Sequence, residues 1–153
     1  MKESNRILPI LLVTMAVIGF SNSLLAQQSS ELRQSCALLT NTSLPDTTIS
    51  SAEVIEANSF ASSGSNSTLI TPAFCRVVGI TSPQVNFEVW LPLDNWNGKY
   101  NGVGNGGMAG VISYAAMAGA LNRGYATAST DTGHDASGGL FDASWASGRP
   151  DLI

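Results

Sequence analysis

Apolar residues alternate with polar ones along residues 85–91, and this is the clearest periodic pattern in the chain. The alternate apolar positions are Val85, Phe87, Val89 and Leu91, and between them lie Asn86, Glu88 and Trp90. Residues 75–81 are also rich in β-branched residues, and a short Ser-Pro-Gln turn separates the two runs. Because the side chains of a strand point alternately to its two faces, the pattern predicts an antiparallel hairpin with one buried face.

A second group of elements follows the hairpin. Residues 99–103 form a short third predicted strand, a glycine-dense turn comes next, and residues 125–130 form a fourth predicted strand. Between the turn and the fourth strand a helix is predicted from Met108 to about Leu121, ending near Gly124, where a left-handed residue is needed. Its expected apolar face consists of Met108, Val111, Ile112, Ala115 and Ala118. Two antiparallel strands followed by strand, turn, helix and strand predict an α/β fold.

The first 26 residues have the composition of a Sec signal peptide. Lys2 and Arg6 precede a mostly apolar run over residues 7–20, and residues 24–26 form a cleavage site before Gln27. The alternative is a membrane anchor, but an apolar run of about 14 residues is short for a bilayer span. We therefore expect a secreted or periplasmic protein that does not associate with a membrane after residues 1–26 are removed.

Residues 27–73 are rich in Ser, Thr and Asn, and they predict an irregular N-terminal arm. Two short β-prone patches, residues 47–49 and 54–55, interrupt it, and residues 62–67 have the composition of a flexible loop. Cys36 and Cys75 both follow the signal peptide, and two cysteines in an exported chain favour a disulfide over a metal site or a reactive thiol. The arm is therefore expected to be tethered to the domain that begins at residue 74.

The charge of the chain argues against a nucleic-acid partner. The formal net charge is -4, and removal of residues 1–26 leaves 5 basic and 10 acidic side chains. A nucleic-acid-binding surface needs a basic patch to neutralise phosphates. The sequence offers none.

The glycine-dense turn over residues 101–110 is the strongest candidate for chemistry. Such a turn, opening onto a helix, presents unpaired backbone N–H groups to a negative charge. The same residues, 102–107, also satisfy the dinucleotide-binding pattern G-x-G-x-x-G, with Asp131 further on at a strand end. The short polar strand before the turn, the preceding hairpin and the predicted export all disfavour that alternative.

The run from Phe74 to about Trp145 resembles the tannase and feruloyl esterase family of α/β-hydrolases, whose members cleave gallate, ferulate or terephthalate esters. The resemblance rests on the turn, the tryptophan-rich segment 90–100 that leads into it and the segment 122–134 that follows. It implies a serine carboxylesterase acting on a small aromatic ester, with Gly106 or Gly107 as the oxyanion-hole donor. Gly104, Asn105 and Met108 would shape the turn. A purely structural turn remains the alternative.

Asp131 and His134 form a second candidate cluster, with Asp135 beside them. A lone histidine with neighbouring carboxylates has too few ligands for a catalytic zinc site, so no metal is expected. The resemblance places the family's catalytic His and Asp far downstream. We therefore expect Asp131 and His134 to be scaffold or pocket-edge residues.

No residue of the sequence is assigned as nucleophile, acid or base. Ser137 lacks the preceding Gly-x of the G-x-S-x-G elbow, and in the family the elbow would lie beyond Ile153. Residues 74–153 are thus expected to be the beginning of an α/β-hydrolase domain, incomplete and inactive alone. No cofactor is expected here, although relatives can bind calcium in a lid domain. The alternative is an exported, non-catalytic binding or structural module.

Overall fold

The computed structural model describes residues 27–28, 30–62, 66–108, 110–134, 138–139 and 141–150. The predicted signal peptide, part of the predicted loop 62–67, Asp135 and Ser137 lie outside these residues. The chain divides into two units, residues 1–32 and 33–153. In the first unit, residues 27, 28 and 30–32 are helical. Within the described part of the chain, no helix has the length and apolar character needed to cross a membrane.

The second unit is built on a mixed five-stranded sheet, which confirms the predicted α/β class. Its strand order is β1-β2-β3-β5-β4. Neighbouring strands are antiparallel except for β4 and β5, which are parallel. The elements are α1 (33–38), a 3-10 turn (Leu39–Asn41), β1 (Thr47–Ile55), β2 (Phe74–Thr81), β3 (Val85–Pro92), β4 (Tyr100–Val103), α2 (Tyr114–Leu121), β5 (Ala126–Thr130) and a second 3-10 turn (Ser144–Ala146).

The prediction of an irregular arm is wrong for residues 33–38, which are helical, and for residues 47–55. Residues 47–55 form β1, which pairs with β2 along its whole length. The register shifts between Ile49 and Ser51, so one extra residue is inserted there. Such a bulge breaks the two-residue alternation and lets Ile49 pack on the same side as Ala52 and Val54. The two β-prone patches are therefore parts of one strand.

The predicted disulfide is present. Cys36 and Cys75 are bonded, with their Cα atoms 5.7 Å apart, and the bond joins α1 to β2. Both cysteines are buried, and they pack with Val77 and Leu93 on one face of the sheet. The N-terminal segment is thus part of the layer that covers this face.

The predicted antiparallel hairpin of β2 and β3 is present, but the expectation that only one of its faces is buried is wrong, because β3 is covered on both sides. Its most buried side chains are Glu88 and Trp90, which were expected on the polar face, whereas the alternate apolar residues are only half-buried. Trp90 packs against Phe74 and Met117 on the side of α2. On the opposite side the half-buried Val89 and Leu91 pack around the disulfide.

A buried ion pair explains how Glu88 can lie inside. The Glu88 carboxylate accepts hydrogen bonds from Nε and Nη2 of Arg76, at 2.9 and 2.5 Å. It also accepts the indole N–H of Trp90 at 2.9 Å and the hydroxyl of Tyr114 at 3.0 Å. Four donors on two carboxylate oxygens compensate for the lost water. The guanidinium also lies over the ring of Phe60, 5.2 Å from its centroid.

The same contacts shift two pKa values. The hydrogen bond to Glu88 raises the pKa of Arg76. Burial raises the pKa of Tyr114, and the negative charge of Glu88 adds to the effect. Arg76 therefore stays charged, and Tyr114 stays protonated as the hydrogen-bond donor.

The predicted start of the helix at Met108 is wrong, because α2 begins at Tyr114. Its buried side chains are Met117, Ala118, Ala120 and Leu121, while Met108, Val111 and Ala115 are exposed. The glycine and the two β-branched residues at positions 110–112 have low helix propensity. Gly110 also lies so close to the backbone of His134 that a side chain there would collide with it. At the other end of α2, Gly124 has the predicted left-handed conformation, with φ 79°.

We predict that Arg76→Met lowers the free energy of unfolding by about 3–5 kcal/mol, because it leaves the Glu88 carboxylate buried without its countercharge. The double variant Arg76→Met/Glu88→Gln should recover part of this loss, since the amide oxygen still accepts from the indole of Trp90 and the amide N–H can donate to the hydroxyl of Tyr114. Urea unfolding of the purified protein measures both. A loss below about 1 kcal/mol for Arg76→Met, or a double variant no more stable than the single one, would contradict the role of the pair.

Candidate functional site

Two loops meet at one edge of the sheet. The glycine turn follows β4, and the segment 131–134 follows β5. Because β4 and β5 are parallel neighbours, with Val103 opposite Ser129, both loops leave the sheet at the same edge. In open α/β sheets, ligands bind at the carboxyl ends of such strands.

The glycine turn is open to solvent. Gly104, Gly106, Gly107 and Met108 are all exposed. A Cβ atom built on Gly104 or Gly106 would meet nothing within 4 Å. Gly107 has φ 61°, a left-handed conformation that favours glycine. A ligand can therefore approach the backbone of the turn closely.

Two contacts fix the ends of this turn. Near its start, the side-chain Nδ2 of Asn105 donates to the carbonyl of Thr130 at 2.8 Å, and Oδ1 of the same side chain is buried with no partner among the described residues. Near its end, Gly110 packs directly on the backbone of Asp131 and His134. The turn is thus anchored on the segment after β5.

Asp131 uses both carboxylate oxygens to hold the end of β5 against the start of β3. Oδ1 accepts from the backbone N–H groups of Asn86 and Gly133, each at 2.9 Å, and Oδ2 accepts from Nδ2 of Asn86 at 2.5 Å. Gly133 and its neighbour Thr132 are left-handed, with φ 79° and 55°. These bonds give Asp131 the geometry of a scaffold residue.

His134 connects this segment to the glycine turn. Its Nε2 atom contacts the carbonyl of Met108, and its Nδ1 atom lies 3.1 Å from Oγ1 of Thr132. The ring stacks on Trp145, with centroids 4.1 Å apart and planes 8° from parallel. Neither the Met108 contact nor the stacking carries a local sequence signal, because both join residues that are not neighbours in the chain.

Asp142 lies in the same loop as Trp145. Hydrogen bonds from the backbone N–H and the hydroxyl of Ser144, both at 2.9 Å, lower the pKa of Asp142. Asp142 is therefore a carboxylate that structures its own loop.

The geometry disagrees with a dinucleotide site. In the dinucleotide fingerprint the helix opens at the glycine turn and its N-terminus holds the pyrophosphate. Here α2 begins at Tyr114, well after Gly107, and β4 has only four residues. As for metals, the described residues contain no group of three His, Cys, Asp or Glu side chains that could hold an ion.

Comparison with known proteins points to one family. The family described as tannase and feruloyl esterase matches residues 68–153. An uncharacterized esterase of Xanthomonas campestris pv. campestris is 46% identical over 150 residues, which are 95% of this chain and 25% of that protein. Feruloyl esterase C of Talaromyces stipitatus is 35% identical over 82 residues, which are 51% of this chain and 15% of that protein.

Solved structures show the same fold. A crystal structure of an esterase from Aspergillus oryzae matches 68% of this chain with a TM-score of 0.60 at 22% identity. The crystal structure of feruloyl esterase B from Aspergillus oryzae matches the same share with a TM-score of 0.59 at 28% identity. These matches cover 23% and 22% of the two solved chains. The chain spans about a quarter or less of the length of the relatives it matches.

We predict that Asp131→Ala lowers the free energy of unfolding by about 2–3 kcal/mol, because three N–H donors lose a charged acceptor. Asp94→Ala is the control, since Asp94 is exposed and its substitution should change stability by less than about 0.5 kcal/mol. Urea unfolding compares the two variants with the parent protein. Equal stability of the two variants would show that Asp131 is not a scaffold residue.

Proposed function

Because the chain belongs to the tannase and feruloyl esterase family, we propose that it forms the beginning of the catalytic domain of an exported serine esterase. The proposed substrate is a small aromatic carboxylic ester, of gallate, ferulate or terephthalate type. Support comes from relatives named esterase and feruloyl esterase. Export is supported by the composition of residues 1–26 and by the Cys36–Cys75 disulfide.

The proposed contribution of this chain is to stabilise the oxyanion. When a serine attacks the ester carbonyl, the carbonyl oxygen gains a negative charge, and fixed N–H donors lower the barrier most when they are already in place. The main support for this proposal is the glycine turn at the carboxyl edge of the sheet, which is exposed to solvent and anchored by Asn105. We assign the donor N–H to Gly106 or Gly107. The acyl-enzyme would then be released to water.

The nucleophile, the general acid and the general base are not assigned to any of residues 1–153 of the sequence. It contains no G-x-S-x-G elbow, so residues 1–153 alone are proposed to hydrolyse no ester. A serine mechanism transfers an acyl group to water without a redox step. We therefore propose no cofactor or metal for these residues, and neither a nucleic-acid partner nor membrane association after export.

We predict that Gly106→Ala in the full-length protein lowers kcat about a hundredfold or more, with little change in KM, because the added methyl group displaces the reacting ester or turns the donor away. Stability should be unchanged, since the methyl group meets nothing within 4 Å. Gly107→Ala is less informative, because its φ of 61° adds backbone strain. Steady-state hydrolysis of methyl ferulate or methyl gallate and a thermal unfolding curve measure the two effects.

Gly119→Ala is the matched control. Gly119 lies in α2, and a Cβ there would contact only Nη1 of Arg123, at 3.7 Å. This variant should keep the kcat of the parent protein. Full kcat in Gly106→Ala, or a loss no larger than the unfolded fraction explains, would mean that the turn is structural.

A further inference from the structure

Among the described residues, three contacts join the glycine turn to the end of β5 and to the segment that follows it, and one of them lies between the other two. Asn105 and Gly110 anchor the two ends. The contact between the Met108 carbonyl and His134 lies between these anchors, immediately after Gly107. Glycine residues have wide conformational freedom. Anchoring the ends alone therefore leaves the N–H directions of Gly106 and Gly107 weakly determined.

The contact also fixes the protonation of one ring nitrogen. A backbone carbonyl only accepts hydrogen bonds, so Nε2 of His134 must carry a hydrogen to bond with Met108. The ring itself is held on two other sides, by stacking on Trp145 and by Oγ1 of Thr132 at Nδ1.

The conformation of Thr132 supports a special role for this arrangement. A β-branched residue with φ 55° is strained and persists only where its surroundings enforce it. Here the strained residue brings its hydroxyl within 3.1 Å of the His134 ring. The backbone after β5 is thus shaped to present the imidazole to the turn.

We propose that His134 is a positioning residue for the glycine turn: its Nε2–H holds the Met108 carbonyl and so sets the direction of the N–H groups of Gly106 and Gly107. The inference rests on the proposed function for its catalytic consequence, because oxyanion donors act through fixed geometry. The contact with the turn itself does not depend on that function.

Two substitutions of similar polarity test the proposal. The side-chain amide of Gln reaches about as far as Nε2 and can donate to Met108, whereas that of Asn reaches only about as far as Nδ1. In the full-length protein, His134→Gln should keep kcat within about threefold of the parent. His134→Asn should lose about tenfold or more in kcat, with KM nearly unchanged. Equal kcat values for the two variants would overturn the proposal.

Hydrogen exchange measured by mass spectrometry gives a readout that needs no activity. Backbone amides in peptides covering residues 104–110 should exchange faster in His134→Asn than in His134→Gln, while His134→Gln should match the parent. Equal exchange in the two variants would also overturn the proposal. If His134→Asn does not fold, His134→Gln decides alone: altered exchange with an unchanged unfolding midpoint would contradict the positioning role.

The two measurements separate this proposal from the proposed function. If the parent protein hydrolyses no aromatic ester, the proposed function fails. The exchange comparison then still decides whether His134 holds the turn. If the parent is active and the two variants differ in kcat but not in exchange of the turn, His134 acts in some other way and the positioning role is wrong.

Discussion

The buried ion pair between Arg76 and Glu88 is the constraint on which the rest of the structure depends. A carboxylate that is 2% exposed is tolerated only with charge compensation and several hydrogen bonds. The pair joins β2 to β3. The carboxylate of Glu88 also accepts a hydrogen bond from the hydroxyl of Tyr114, the first residue of α2. This bond ties the first residue of α2 to the sheet, and residues 110–113 lie outside the helix.

The late start of α2 matters for the proposed chemistry. A helix beginning at Met108 would draw the Met108 carbonyl into its own hydrogen-bond ladder. In the observed structure this carbonyl is instead bound by His134, and Ser113 donates its N–H to the hydroxyl of Ser129 on β5. The loop therefore docks on the neighbouring strand end, and the exposed glycines remain accessible at the edge of the sheet.

Local sequence signals were enough to predict β2 to β5 and the disulfide. The alternation of apolar residues, the glycines that end the strands and the helix, and the number of cysteines can each be recognised from a few residues. They failed for β1, where a bulge at Ile49 breaks the alternation. They also failed for Glu88, since a charge paired with a residue on another strand carries no local mark of burial. Neither error could be avoided from periodicity alone.

At the candidate site, too, local features could be predicted from the sequence and contacts between distant residues could not. Sequence reasoning located both loops and treated Asp131 as a scaffold or pocket-edge residue, and the family resemblance implied Gly106 or Gly107 as the donor. The assignment of donors stays a prediction, whereas the hydrogen bonds of Asp131 agree with a scaffold role. The contact between His134 and Met108 was not foreseen, because residues 26 positions apart meet only after β4 and β5 have paired in parallel.

A crystal structure of the full-length protein, with a phosphonate ester bonded to the proposed nucleophilic serine, would test whether the glycine turn holds the oxyanion. The phosphonate carries a charged oxygen where the oxyanion of ester hydrolysis would lie. If the turn supplies the donor, this oxygen accepts a hydrogen bond of about 2.7–3.1 Å from the N–H of Gly106 or Gly107. A phosphonate oxygen that is bound only by other donors, with the glycine N–H groups pointing away from it, would show that the turn does not hold the oxyanion.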